Sequence, residues 1–239
     1  MPVTGKVDAV VLKRSSGPRT AEAIALNELR DAIIRGDLPP GTQIRQGAAA
    51  EQLGLSVIPV REALKTLAGE GIVAYQAQRG YTVAQLRPDS VDDIFRLRLM
   101  LESQAEEEAA ARLRPQDLAE MRDALDAQRQ ATEAGDAHAA ILANKAFHFA
   151  LLDRCDNEWL MRFVRQLWEA LEPHRALAYR RAAEHGDRTR ADAILDEHEA
   201  ILVQLETGDT DAALQAMARH RESGHGDFHR LLTESDPAQ

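Results

Sequence analysis

Three of the eight histidines in this 239-residue chain sit in the middle of apolar stripes that repeat at helical spacing. Between 136 and 154 one face reads Ala140, Ile141, Asn144, Phe147, His148 and Leu151, with Asn144 and His148 one turn apart. Residues 188–207 carry His198 between Ile194, Leu195, Ile201 and Leu202, and residues 209–232 place His220 after Ala213, Ala216 and Met217. Neutral imidazoles are good ligands for Zn, Ni, Co, Mn or Fe ions, and helical bundles hold metals through side chains on facing helices. Three inward histidines and an amide therefore suggest a divalent-metal centre; buried histidines that only make core hydrogen bonds are the alternative. The other five, His138, His174, His185, His225 and His229, lie off these stripes or near breaks and read as surface residues. Arg98 follows Ile94 and Phe95 on the apolar side of its segment, where it either pairs with Glu102 at i, i+4 or receives a carboxylate in a pocket.

A second group of residues suits nucleic acid. Arg61 lies one turn into a short helix, opposite Leu64 and Leu67, and can project toward a guanine edge. Lys65 and Arg45 fit phosphate contacts or plain solvated charge, and Ser56 fits a helix cap or a phosphate donor.

The elements that must position these groups follow from periodicity and breakers. Residues 1–19 show no sustained helical period and read as a flexible arm. A stripe of Ile24, Leu26, Leu29, Ile33 and Ile34 gives a first helix, stopped by Gly36 and Pro39-Pro40-Gly41. Short helices over about 47–53 and from Ser56 to Gly69 or Gly71 follow. Two β-type runs at 72–75 and 81–84 then flank a glycine-containing loop. Three helices and a hairpin make the winged helix-turn-helix order over 20–85. Six helical segments fill 86–234, at about 88–112, 115–134, 136–154, 156–182, 188–207 and 209–232, with Pro173 expected to kink the fourth; 235–239 is a tail. The fold class is mainly α, a winged domain followed by an all-α antiparallel bundle.

Composition agrees. Aromatic residues make up 4% of the chain, and a β-sandwich or barrel is a poor fit. One cysteine, Cys155, excludes an intramolecular disulfide, and no apolar run reaches the roughly 20 residues of a membrane span, so a cytoplasmic protein without membrane contact is expected. The net charge of −10 is unevenly spread: residues 1–85 hold 10 basic and 8 acidic residues, the remainder 19 and 31. A mildly basic module is joined to an acidic one.

Leu38-Pro-Pro-Gly41 and the run from Leu53 through Pro59-Val-Arg-Glu-Ala-Leu64 to Gly71 resemble the GntR family of bacterial transcription regulators. The resemblance implies a third helix in the major groove and a wing, tipped by Arg79-Gly80, reaching toward the minor groove. The family commonly has a basic residue and Thr where this chain has Val57-Ile58, which implies weaker or differently read operator binding. Residues 88–232 are similar to the FCD domain of the FadR subfamily, through Arg98-x-x-x-Glu102, Asn144-x-x-x-His148 with Asn157, Glu197-His198 and Met217-x-x-His220. That likeness implies a divalent metal (Zn, Ni, Mn or similar) on Asn144, His148, His198 and His220, helping to hold a small organic acid. Position 144 is more often Asp, so one ligand charge is missing here.

Taken together, these features predict a homodimeric, metabolite-responsive repressor on a palindromic double-stranded DNA operator, with an organic-acid effector contacting Arg98 and the metal centre. The rivals are a metal-dependent hydrolytic enzyme, for which no paired general base is evident on the stripes, and a metal-free helical dimerisation module. Imidazole ligands must be deprotonated, so metal binding is expected to weaken as pH falls through about 6.5.

Overall fold

The computed structural model describes residues 20–184 and 188–234. The arm at 1–19, the tail at 235–239 and the expected break at Gly186 lie outside them. Helix α1 (Ala21–Ile34) starts where the Thr20 hydroxyl accepts from the Ala23 amide at 3.1 Å. Strand β1 (Gln43–Ile44), α2 (Gln46–Leu53), α3 (Val57–Gly69), β2 (Val73–Gln76) and β3 (Gly80–Val83) complete the N-terminal part. Each sequence-read strand shifts by one residue. β1 is an addition: two residues are too few to show alternation, yet Gln43 and Ile44 pair with Thr82 and Tyr81, giving an antiparallel sheet ordered β1-β3-β2. Leu29 and Ile33 of α1, Val60, Leu64 and Leu67 of α3, and Ile72, Tyr81 and Val83 close one core.

Six helices follow: α4 (Pro88–Ala110), α5 (Pro115–Ala134), α6 (Ala137–Leu152), α7 (Glu158–Glu184), α8 (Thr189–Glu206) and α9 (Thr210–Glu234). Pro88 and Pro115 open α4 and α5 at positions where a missing N–H costs nothing. Asp117, fully buried, accepts from the Arg114 amide and guanidinium and fixes the start of α5. Pro173 lies within one continuous helix, where it removes the donor that the Glu169 carbonyl would otherwise meet. Met121, Leu125, Phe147, Leu152, Trp168, Ile201 and Met217 fill the bundle core. No helix of the described residues is long and apolar enough to cross a membrane.

The two parts touch through α7. Ile34 of α1 packs with Ile141 of α6 and Ala176 of α7. After α1 the chain turns at Gly36 with φ +80°, and a Cβ there would meet the Arg180 guanidinium at 2.8 Å, while Arg180 donates to the Gly36 carbonyl. The backbone angle favours glycine, and a Cβ would also push the Arg180 guanidinium off this contact.

Leu125 is 0% exposed at the centre of the bundle. Leu125→Ala is expected to cost about 2–5 kcal/mol, read as a lower urea midpoint; a loss under about 1 kcal/mol would contradict its core position.

Candidate functional site

The bundle brings His148 of α6, His198 of α8 and His220 of α9 to one point. His198 Nε2 lies 3.1 Å from His148 Nε2 and 3.3 Å from His220 Nε2. The opposite ring nitrogens fix the tautomers. His198 Nδ1–H donates to Gln128 Oε1 of α5 at 2.9 Å, and His220 Nδ1–H donates to Glu197 Oε2 at 2.5 Å. Glu197 is held in turn by Arg190 at 2.7 Å and the Ser223 hydroxyl at 3.2 Å. Against the cost of burial, the hydrogen bonds from His220 and Arg190 draw the Glu197 carboxyl down to about 2.

With their protons on Nδ1, His198 and His220 aim two bare Nε2 lone pairs at each other. A cation between them would relieve that repulsion, as would a proton on His148 Nε2 toward His198. Zinc–imidazole bonds of about 2.0–2.1 Å at angles of about 90–110° put neighbouring nitrogens about 2.9–3.4 Å apart, the range seen here. The imidazoles are also kept neutral. Burial, then the neighbouring histidines, depress His148 and His198 well below the usual value, and burial outweighs Glu197 at His220. The pH at which protons displace a cation therefore moves below the 6.5 expected from free imidazole. The donor set fits a divalent ion of the imidazole-preferring class. Asn144, buried one turn before His148, adds a neutral amide to the wall of the adjoining cavity.

That cavity encloses about 480 Å³ and is bordered by Arg98, Asn144, His148, Trp168, Arg175 and His220 among others. Arg98 makes the Glu102 pair of one sequence reading and also borders the cavity. Its Nε and Nη2 reach the two Glu102 oxygens at 2.5 and 3.1 Å, while its guanidinium lies over Trp168 at 4.6 Å and lines the cavity. Arg221 backs this pair, bonding Glu102 at 3.1 Å and Glu106 at 2.7 Å.

The reading of five surface histidines needs correction. His174 is 1% exposed, and its Nε2 accepts the Leu86 amide at 3.1 Å; burial pulls its pKa to about 4. It was missed because it lies off the stripe of Met161, Val164, Trp168 and Leu171, in a stretch from 171 to 176 where α7 is buried on every side. His225 is half-buried, 2.6 Å from Asp92 and stacked on Phe95. His138 is half-buried 3.9 Å from Asp31, His229 is exposed, and His185 lies outside the described residues. Sequence reasoning also passed over Gln128, Trp168, Arg175 and Arg190. The available signal was spacing: Trp168 and Arg175, like Arg190 and Glu197, stand two turns apart on one face.

The residues read as DNA-facing lie on the winged part. Arg61 and Lys65 are exposed on α3 and both approach Glu62, at 3.4 and 3.0 Å. They border a shallow depression with Gln46, Tyr75 and Tyr81. Arg45 is exposed at the N-cap of α2. Ser56 caps α3 by position, but its hydroxyl makes no capping bond. Exposed Val57 and Ile58 follow it. Arg79 is exposed at the hairpin tip, and Gly80 takes φ +78°.

A charged cluster joins this part to the bundle. Arg30 of α1 contacts Glu70 and Glu169 at 2.6 Å each and Glu172 at 3.7 Å, and Lys145 of α6 contacts the same two α7 carboxylates at 2.6 and 2.5 Å. Burial, then the Glu169 charge, raises Glu172 to about 7.

Comparison with known proteins gives the context. Residues 21–83 match the model for bacterial regulatory proteins of the gntR family, and residues 93–223 match the FCD domain. The transcriptional regulator McbR of Escherichia coli K12 is 34% identical over 173 residues, 72% of this chain and 74% of that protein. The transcriptional repressor GlaR of the same organism is 27% identical, over 80% of this chain and 88% of its own length. The solved structure of E. coli McbR/YncC superposes with a TM-score of 0.77 at 27% identity, covering 91% of this chain and 99% of that one. These relatives are transcription regulators, not enzymes.

The buried His174 sets a pH dependence. It stays neutral in the fold, whereas unfolded histidine protonates below about 6.5, so stability is complete above 6.5 and lost as pH falls toward about 4. His174→Gln, which keeps an acceptor for Leu86 and does not titrate, is expected to remove up to about 3 kcal/mol of that loss in chelator-treated protein. Identical urea-midpoint profiles from pH 7 to 4 for both proteins would contradict the assignment.

Proposed function

The chain belongs to the GntR family of bacterial regulatory proteins with an FCD domain, a DNA-binding transcription regulator, and from that membership we propose a cytoplasmic, homodimeric repressor of FadR type that responds to an organic acid. In this reading residues 20–85 bind DNA and 86–234 bind the effector. The supporting observation is the pair of bare Nε2 atoms on His198 and His220, 3.3 Å apart with their protons committed elsewhere. His148, His198 and His220 would hold a divalent ion, with Asn144 as a neutral fourth group. When bound, such an ion supplies positive charge and open positions for carboxylate oxygens.

The rest falls to the chain. Arg98, already anchored by Glu102, presents its guanidinium face and remaining N–H groups to an acid in the cavity. Trp168 packs on His148 and Arg98 from α7, and the same helix grips the winged part through Glu169, Glu172 and Arg180 and the linker through His174. An effector that fits one placement of α7 better than another shifts the population of placements of the DNA-reading helices. A palindromic operator needs two such modules about a two-fold axis, and exposed Leu97 and Met100 on α4 offer apolar surface for pairing.

On DNA, α3 enters the major groove with Arg61 at a base edge, Lys65 and Arg45 on phosphates, the free Ser56 hydroxyl beside them, and Arg79-Gly80 at the wing tip. Arg61→Ala is expected to cost roughly 1–3 kcal/mol on an operator selected from random DNA and to relax preference at one base pair, while Lys65→Ala weakens all sequences and lowers the salt slope by about one. Equal losses for Arg61→Ala on selected and random DNA would contradict base contact. Competition against a chromogenic chelator tests the metal centre: His198→Ala should abolish one stoichiometric ion, and Asn144→Asp should tighten it by restoring a charged ligand. An absence of binding by the parent protein at micromolar free metal would favour a metal-free module.

A further inference from the structure

Two guanidinium groups flank the Trp168 ring, each 4.6 Å from its centroid, and they differ in one respect. Arg98 has both Glu102 oxygens. Arg175 is 6% exposed, borders the cavity, and its buried Nη1 has no hydrogen-bond partner among the described residues. Glu172 and Glu102 act on it only from beyond ion-pair distance, and a buried guanidinium without a direct carboxylate partner is costly. Burial, then Arg98, pulls its pKa down to about 10 despite those two carboxylates. His148 stands against the same tryptophan, 5.0 Å between ring centroids, so an acid group held by Arg175 also adjoins the imidazole centre.

One corner of the cavity is unlike a pocket for a short, oxygen-rich acid. Ala131, Ala134, Ala137 and Ala140 at the α5–α6 turn, with Ala191 and Ile194 of α8, present methyl groups there, while Thr132, Asn144 and Tyr179 bring polar atoms to other parts of the wall. Its volume, about 480 Å³, falls among cavities of roughly 300–1,000 Å³ that enclose drug-sized ligands. A hydrocarbon portion is what such walls stabilise.

Resting on the effector-pocket reading above, we propose that the cavity takes an amphipathic monocarboxylate, its carboxylate paired with Arg175 and its hydrocarbon chain against the alanine-lined corner. Arg175 is then the group that selects for an acid, and the alanines set how long that acid is. Arg98 shapes the site by its own contact with Trp168.

The test is a calorimetric series of straight-chain monocarboxylates, acetate to decanoate, against the zinc-treated full chain, with citrate as a short polyacid. Affinity should rise about fourfold per methylene, from about 0.8 kcal/mol each, until the cavity is full. Arg175→Met should weaken every chain length at least tenfold, leave zinc binding unchanged, and raise the melting temperature of the ligand-free protein by removing an unpaired buried charge. Affinity independent of chain length, citrate binding above all monocarboxylates, or a lower melting temperature for Arg175→Met would overturn the proposal. Normal zinc binding beside any of these leaves the metal reading standing, whereas acid binding with the chain-length trend but no zinc removes the metal reading alone.

Discussion

A carboxylate buried between two modules has to be met by cations from both. Glu172 of α7 is 1% exposed, and it sits beside Glu169; Lys145 reaches the pair from α6 in the bundle and Arg30 from α1 in the winged part. Removing either cation leaves like charges facing each other out of water, which is why such clusters fix geometry more than they add stability. Around it, His174 takes the Leu86 amide at the start of the linker and Arg180 takes the carbonyl of Gly36. Within about three turns, one helix holds the end of α1, the end of α3 through Arg30 and Glu70, and the segment that leads into α4.

The adjoining face of the same helix walls the cavity. Trp168, Arg175 and Tyr179 border it, and Gln128, which fixes the tautomer of His198, is also within hydrogen-bonding reach of Tyr179. Polar contacts thus run from the imidazole centre through Gln128 of α5 to Tyr179 of α7, which packs against the Ile34 contact with the winged part. Pro173, which weakens the backbone ladder between Glu172 and His174, lies where the two sets of contacts meet.

Much of this was legible in the sequence, and what was not has a physical cause. The helices α6, α8 and α9 each carry an apolar stripe, so His148, His198, His220 and Asn144 announced themselves as its polar interruptions, although α6 also buries Phe149 off that stripe. Helix α7 is buried against α1, α4 and α6 together, so a buried His174 looked like a surface residue and Arg175 like ordinary charge. Strand β1 is two residues long, too short for any period. Gln128 sits among polar residues, and only its partner His198, 70 positions away, shows why it is buried. Periodicity finds faces; it does not find which faces a helix shares with distant elements.

The account's central claim is that occupation of the cavity reaches the winged part through α7. Residue-resolved amide exchange on the full chain, with and without zinc, tests it most directly. The account predicts slowed exchange in α6, α8 and α9, which supply the imidazoles, and also along α7 and in α1 of the winged part. Slowed exchange confined to the bundle helices, with α1 unchanged, would contradict it.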